Sequence, residues 1–192
     1  MNKLDVFKKE INYIKNERFR ESLKKLILEL PDYFFEIPAS STGKRHPKFA
    51  LGKGGLLRHT KAAVMVAKTL LYDNQTIGED FINDEKDLIL IALILHDGFK
   101  SGLINKNHTV FEHPLIMTNF IMDKKNELDF TDQELELLIS MIESHMGEWQ
   151  TSPYSKFVLP KPVSKYQKFV HMCDFLVSRK YIDIDVNYEE KF

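Results

Sequence analysis

Eight apolar residues in a row, Leu88 to Leu95, run directly into the pair His96-Asp97. As a helix from about Glu85 to His96 this segment is apolar on every side, so other elements must enclose it. It is far too short to span a bilayer. The rest of the chain supplies the enclosing parts. Leu4, Phe7, Ile11 and Ile14 recur at helical spacing, as do Leu23, Leu26, Ile27 and Leu30 ahead of Pro31. Further helices are expected from about Leu56 to Tyr72, from His113-Pro114 onward, behind the capping box Thr131/Glu134, and from about Ser164 to Lys180. Asp87 falls near the start of the apolar helix, where a carboxylate suits the helix dipole. Between Pro38 and Gly55 the string PASSTGKRHPKFALGKGG reads as loop. No strand-length alternation of apolar and polar residues interrupts this pattern, so the fold class is all-α.

Length and charge narrow the functional classes. A chain of 192 residues with 43% hydrophobic content can bury a core as one domain without disulfide staples. Its single cysteine, Cys173, cannot form an internal disulfide, which fits a reducing cytoplasm. The N-terminus has no apolar stretch that reads as a signal peptide, so a cytoplasmic location and no membrane partner are expected. With 27 basic against 28 acidic residues, the net charge of −1 argues against a sequence-independent grip on long duplex nucleic acid. It leaves room for a small phosphate-bearing ligand held by a few local lysines. Homo-oligomerisation stays open.

The histidines carry the chemistry. His59 lies on the stripe Leu56, His59, Ala63, Val66, Leu70, which faces the core. His96 and Asp97 end the most buried helix. His145 follows Ile142 by three positions, and Asp174 sits between Val170 and Val177 on an apolar face. Burying an unpaired carboxylate is costly, so Asp97 and Asp174 must meet a cation or strong donors. Imidazole and carboxylate together are natural ligands for Fe, Mn, Zn or Co. His113, set just before a helix N-terminus, extends the order to His…His-Asp…His…His…Asp, which is improbable as accident.

On these residues the sequence resembles the HD-domain superfamily of metal-dependent phosphohydrolases. The segments that carry the likeness are GGLLRHT, LHDGFK and VHMCDFL, and it covers roughly residues 54–180. The resemblance implies an HD-domain helical bundle with a short N-terminal helical extension. Residues 1–55 would be N-terminal helices and a Gly/Ser/Lys loop packed on the core, and residues 56–192 the metal-binding helical domain. It implies that His59, His96, Asp97 and Asp174 bind one divalent ion and that His113 and His145 hold a second, bridged by Asp97. One or two ions per chain would be drawn from Mn, Fe, Co, Ni, Zn and Mg. A narrower likeness is to bacterial HD-type 3′–5′ exoribonucleases, through PASSTGKRHP, GGLLRHT, SHMGEWQTSP and VHMCD. The sequence shows no counterpart of their separate N-terminal nucleic-acid-binding domain, which points to a nucleotide or short oligonucleotide as substrate. The family string HD-x-G-K reads HDGFK here, with the glycine displaced and Lys100 in place.

The expected activity is hydrolysis of a phosphodiester or phosphoanhydride bond of a nucleotide or short oligonucleotide. A divalent cation lowers the pKa of bound water to about 7. Asp97 and Lys100 are the expected catalytic residues, Lys100 meeting charge that develops on the phosphate. Lys44, Arg45 and His46 in the Gly/Ser loop are expected to contact phosphate. Arg58, His171 and Arg179 are placed within reach of substrate, and Trp149 over the site as a base platform. His108 is assigned to a loop as a non-ligand. Two other classes remain open: an HD-type di-iron oxygenase, which uses the same ligand pattern, and a catalytically silent nucleotide-binding module.

Overall fold

The computed structural model describes residues 2–44 and 46–182. Among the described residues the regular structure is helical, with nine α-helices and no strand. They are α1 (Lys3–Val6), α2 (Lys8–Tyr13), α3 (Glu17–Glu29), α4 (Gly55–Lys68), α5 (Gln75–Gly78), α6 (Asn83–Leu95), α7 (His113–Asp123), α8 (Asp132–Glu143) and α9 (Lys165–Val177). No helix among them is long and apolar enough to cross a membrane.

The apolar segment takes the position its composition demands. In α6 every residue from Asp87 to Leu95 is buried, and α3, α4, α8 and α9 surround it. The N-terminal helices pack on α4 and α6 through Phe7, Ile11, Ile14, Phe19 and Leu23, which are buried in the same core. Helix α6 runs out into Gly98, where backbone approach is close. A Cβ at Gly98 would lie 2.7 Å from the Leu30 side chain and 2.8 Å from Met117 Sδ. Glycine directly after His96-Asp97 thus lets the chain leave α6 under the end of α3.

Some boundaries differ from the periodicity. The first apolar stripe is two short helices with Phe7 between them, at φ −100° and ψ 13°, because the Phe7 ring turns in to meet Phe34 and Phe35 at 6.1 and 6.2 Å. Helix α4 gives way at Thr69–Asp73 to a π-helical turn that brings Tyr72 over Asp87. Helix α9 stops at Val177, where the Ser178 hydroxyl bonds back to the Phe175 carbonyl at 2.7 Å.

Asp87 does more than complement a dipole. Its buried carboxylate accepts from the Lys15 and Asn16 backbone N–H groups at 2.8 and 2.7 Å, and from the Tyr72 hydroxyl at 3.4 Å. It therefore joins the α2–α3 connection and the π-helical turn to α6. Asp87→Ala leaves two backbone donors unsatisfied and should cost about 3 kcal/mol of stability. Urea unfolding should show a lower midpoint at unchanged m-value, and a loss below about 1 kcal/mol would refute this role.

Candidate metal centre

Six side chains meet at the C-terminal end of α6. His59 comes from α4, His96 and Asp97 follow directly on α6, His113 opens α7, His145 lies just past α8, and Asp174 comes from α9. All are buried except Asp174, whose side chain is 19% exposed toward a cleft. Asp97 stands in the middle. Its Oδ1 lies 3.0 Å from His113 Nε2 and 3.7 Å from His145 Nε2. Its Oδ2 lies 3.4 Å from His96 Nε2 and 3.8 Å from His59 Nε2. Asp174 Oδ1 sits 2.9 Å from His59 Nε2 and 3.5 Å from His96 Nε2.

Helix ends set the orientation of the rings. His96, His113 and His145 each turn Nδ1 onto a backbone carbonyl three residues earlier, that of Leu93, Val110 and Ile142, each at 2.7 Å. A carbonyl only accepts, so Nδ1 carries the proton and Nε2 of the neutral ring keeps a lone pair. These lone pairs converge: His113 Nε2 and His145 Nε2 are 3.2 Å apart. Despite the short approaches, His59 Nε2, His96 Nε2 and Asp97 Oδ1 have no partner in hydrogen-bond geometry. Buried lone pairs gathered in this way are stabilised by a cation among them. The donor set suits a borderline or hard transition metal. Two triads, His59/His96/Asp174 and His96/Asp97/His145, have ligand atoms within 4.8 Å of one another. Asp97 presents Oδ1 toward His113 and His145 and Oδ2 toward His96 and His59.

The charges follow from this crowding. Burial alone would keep the His96 ring neutral, but Asp97 and Asp174 override it and raise its pKa to about 10. Burial, reinforced by His96 and His113, lowers His145 to about 3. Burial opposes the ionised forms of both carboxylates. Lys100 and His96 nevertheless hold Asp97 well below the usual carboxylate range, and His59 and His96 do the same for Asp174.

A cleft of about 330 Å³ opens onto the cluster, with His46, Lys100, Trp149 and Arg179 in its wall. The Lys100 ammonium donates to Asp97 Oδ2, so this lysine touches a candidate ligand as well as the cleft. Ala39, Ser40 and His46 bring the Pro38–Gly55 loop against the opening, and the His46 ring meets His59 edge-on at 5.4 Å. Burial, followed by His59 and Lys100, lowers the His46 pKa to about 3. Trp149 stacks on Phe175 at 5.9 Å and 12°. The Arg179 guanidinium lies 4.3 Å over the Phe175 ring and 5.3 Å over that of Trp149.

Other sequence-derived assignments fall elsewhere. Arg58 is turned from the cleft and donates to the carbonyls of Phe49, Leu51 and Lys53, stitching the loop to α4. His171 does not line the cleft either. Its Nδ1 donates to the His145 carbonyl at 2.7 Å, and its ring packs where a Cβ on Gly147 would lie, 2.1 Å from His171 Cε1. Gly147 has φ +62°, so His171 and this glycine together shape the turn that holds His145. Lys44 is exposed outside the cleft wall, and Arg45 lies outside the described residues. His108 is exposed on its loop and belongs to neither triad. Thr109, Met146 and Ser178 do line the cleft, and their residue types give no sequence signal for it.

Titration with Mn²⁺ or Co²⁺ should raise the melting temperature as the ion binds the folded state. At pH 8 binding should release about one proton, because His96 must give up the proton that its carboxylate neighbours hold there. Calorimetry in buffers of different ionisation enthalpy measures this. Asp97→Ala should abolish the shift, whereas His113→Ala or His145→Ala should leave roughly one ion bound. Full metal content in Asp97→Ala would exclude this centre.

No protein-family model matches the chain, and no solved structure matches it. Among curated proteins it is similar to the 3′-5′ exoribonuclease YhaM of Shouchella clausii (strain KSM-K16). The two are 29% identical over 182 residues, which cover 89% of this chain and 51% of that protein. The chain spans about half the length of the curated relative it matches.

Proposed function

We propose that this chain is a metal-dependent phosphohydrolase of the HD type that cleaves a phosphodiester bond of a short oligonucleotide. The observation that carries the reading is the buried convergence of four imidazoles and two carboxylates beneath a cleft with cationic walls. His59, His96, Asp97 and Asp174 would hold one divalent ion, and His113 and His145 with Asp97 a second. Such an ion supplies a Lewis acid for the phosphoryl oxygen and a bound water of pKa about 7. The residues around it do the rest. Lys100, on a flexible stem beside Asp97, neutralises charge on the phosphoryl oxygens. Arg179, backed by the Phe175 and Trp149 rings, offers guanidinium donors to an adjacent phosphate. Trp149 supplies an aromatic surface for a base, and Ala39, Ser40 and His46 bring their loop into the cleft wall. Similarity to a 3′-5′ exoribonuclease supports a nucleic-acid phosphodiester as the bond cleaved. We assign the activity to one domain, with residues 1–55 packed on the helices that carry the ligands.

Nucleotides, dinucleotides and short oligonucleotides incubated with Mn, Co, Ni, Mg or Zn should be hydrolysed with at least one of these metals. Chelation should stop turnover. Oxygen consumption without phosphodiester cleavage would instead identify a di-iron oxygenase. Lys100→Ala should keep its metal yet lose on the order of 10²-fold in kcat with a smaller change in KM. Lys100→Arg should recover only part, because a planar fork does not replace a compact ammonium. Near-normal kcat in Lys100→Ala would remove the residue from the reaction.

A further inference from the structure

Two further depressions adjoin the cleft over the cluster. A smaller depression of about 110 Å³ shares Lys100 and Thr109 with the cleft. A third, of about 310 Å³, shares His108 and Thr109 with the smaller one and Thr109 with the cleft. All three have Thr109 in their walls and so adjoin one another there. The third lies between the loop following α6 and the loop following α8, with Lys106 on one wall and Tyr154 on the other.

Both loops are pinned at their bases. The Val110 N–H donates to the Lys100 carbonyl at 2.8 Å, and the buried Ser101 hydroxyl is shared between Asn105 Oδ1 and the His108 carbonyl. The Leu159 N–H closes the second loop on the Gln150 carbonyl at 2.9 Å. Across the groove the Ser155 hydroxyl donates to the Glu112 carboxylate, which engages the one acid in the wall in linking the two loops. What remains presented to solvent is Lys106, His108, Thr109 and Tyr154, a residue that is 96% exposed.

We propose that this groove is a binding track for the part of a single-stranded oligonucleotide that lies beyond the bond being cut. Tyr154 stacks a base, and Lys106 with His108 faces the backbone phosphates. The proposal rests on the phosphohydrolase reading. Adjacency to the cleft and the Lys106 ammonium in the wall favour a nucleic-acid strand over an apolar peptide as occupant. An exposed aromatic face beside a basic groove is the arrangement that holds single strands without sequence preference.

The test compares a substrate with one nucleoside, thymidine 5′-(p-nitrophenyl phosphate), with oligouridylates of increasing length, using the metal-loaded full chain. In the wild type kcat/KM should rise with length until the track is filled. Tyr154→Ala should lower the ratio of kcat/KM for a long oligouridylate to that for the one-nucleoside substrate roughly tenfold, the scale of one stacking contact. Tyr154→Trp should restore it. Lys106→Ala should flatten the salt dependence of oligonucleotide binding. A wild-type ratio that does not change with length, or an unchanged ratio in Tyr154→Ala, overturns the track and leaves these loops to a protein partner. If neither substrate is cleaved with any metal, the phosphohydrolase reading fails. Anisotropy of a fluorescein-labelled oligouridylate then decides the track separately. Roughly tenfold weaker binding by Tyr154→Ala upholds it, and equal binding overturns it.

Discussion

The carboxylate of Asp97 is the constraint to which the rest of the structure answers. It is held ionised in the interior, 1% exposed, directly beyond a helix whose last eight residues are all apolar. An anion in such a place is stable only if its surroundings supply compensating donors or cations. Here the compensation comes from the Lys100 ammonium, which donates to Oδ2, and from the His96 ring, whose pKa the two carboxylates raise, while His59 on α4, His113 at the start of α7 and His145 beyond α8 turn Nε2 toward the same carboxylate. The helices around α6 are thus arranged by two demands. One buries Leu88 to Leu95, and the other surrounds the residue that follows them.

The chemistry of the centre is imposed by backbone as much as by side chains. Three imidazoles direct Nδ1 to carbonyls in the last turn or loop before them, which fixes the tautomer and aims Nε2 inward. A free side-chain rotor would not hold several lone pairs within hydrogen-bonding distance of one another. The helical scaffold does so because each of these histidines sits at or beside a helix terminus, within reach of the carbonyl three residues earlier. The loops then finish what the helices begin. The segment between Pro38 and Gly55 walls the cleft with His46, and the two loops after α6 and α8 extend it toward Tyr154.

Parts of this were legible and parts were not, for identifiable reasons. His59, His145 and Asp174 each fall on an apolar stripe, so the helical period alone turns them inward. Asp87 falls on such a stripe too, yet its partners are the Lys15 and Asn16 backbone amides, which no side-chain pattern reveals. Arg58 is adjacent to His59 but projects about 100° further around the helix, where its guanidinium is taken up by the Phe49, Leu51 and Lys53 carbonyls. His171 faces the core like a ligand and stops one layer short, against the His145 turn, because Gly147 leaves space for its ring. Arg179 and Trp149 are thirty residues apart. Their shared platform with Phe175 exists only once α9 packs beside the end of α8.

By itself the sequence determined that the chain is helical, that residues 88 to 95 lie at its centre, and that an unusual number of imidazoles and carboxylates point inward. Period and composition suffice for this, because burial of apolar surface dominates the free energy and leaves little choice of face. Only the tertiary structure decided which inward groups share one point, which oxygen of Asp97 meets which ring, and which cations line the opening. Those outcomes depend on helix ends and loop closures, where backbone carbonyls and glycine conformations set directions. Differences of an ångström there separate a ligand from a buttress.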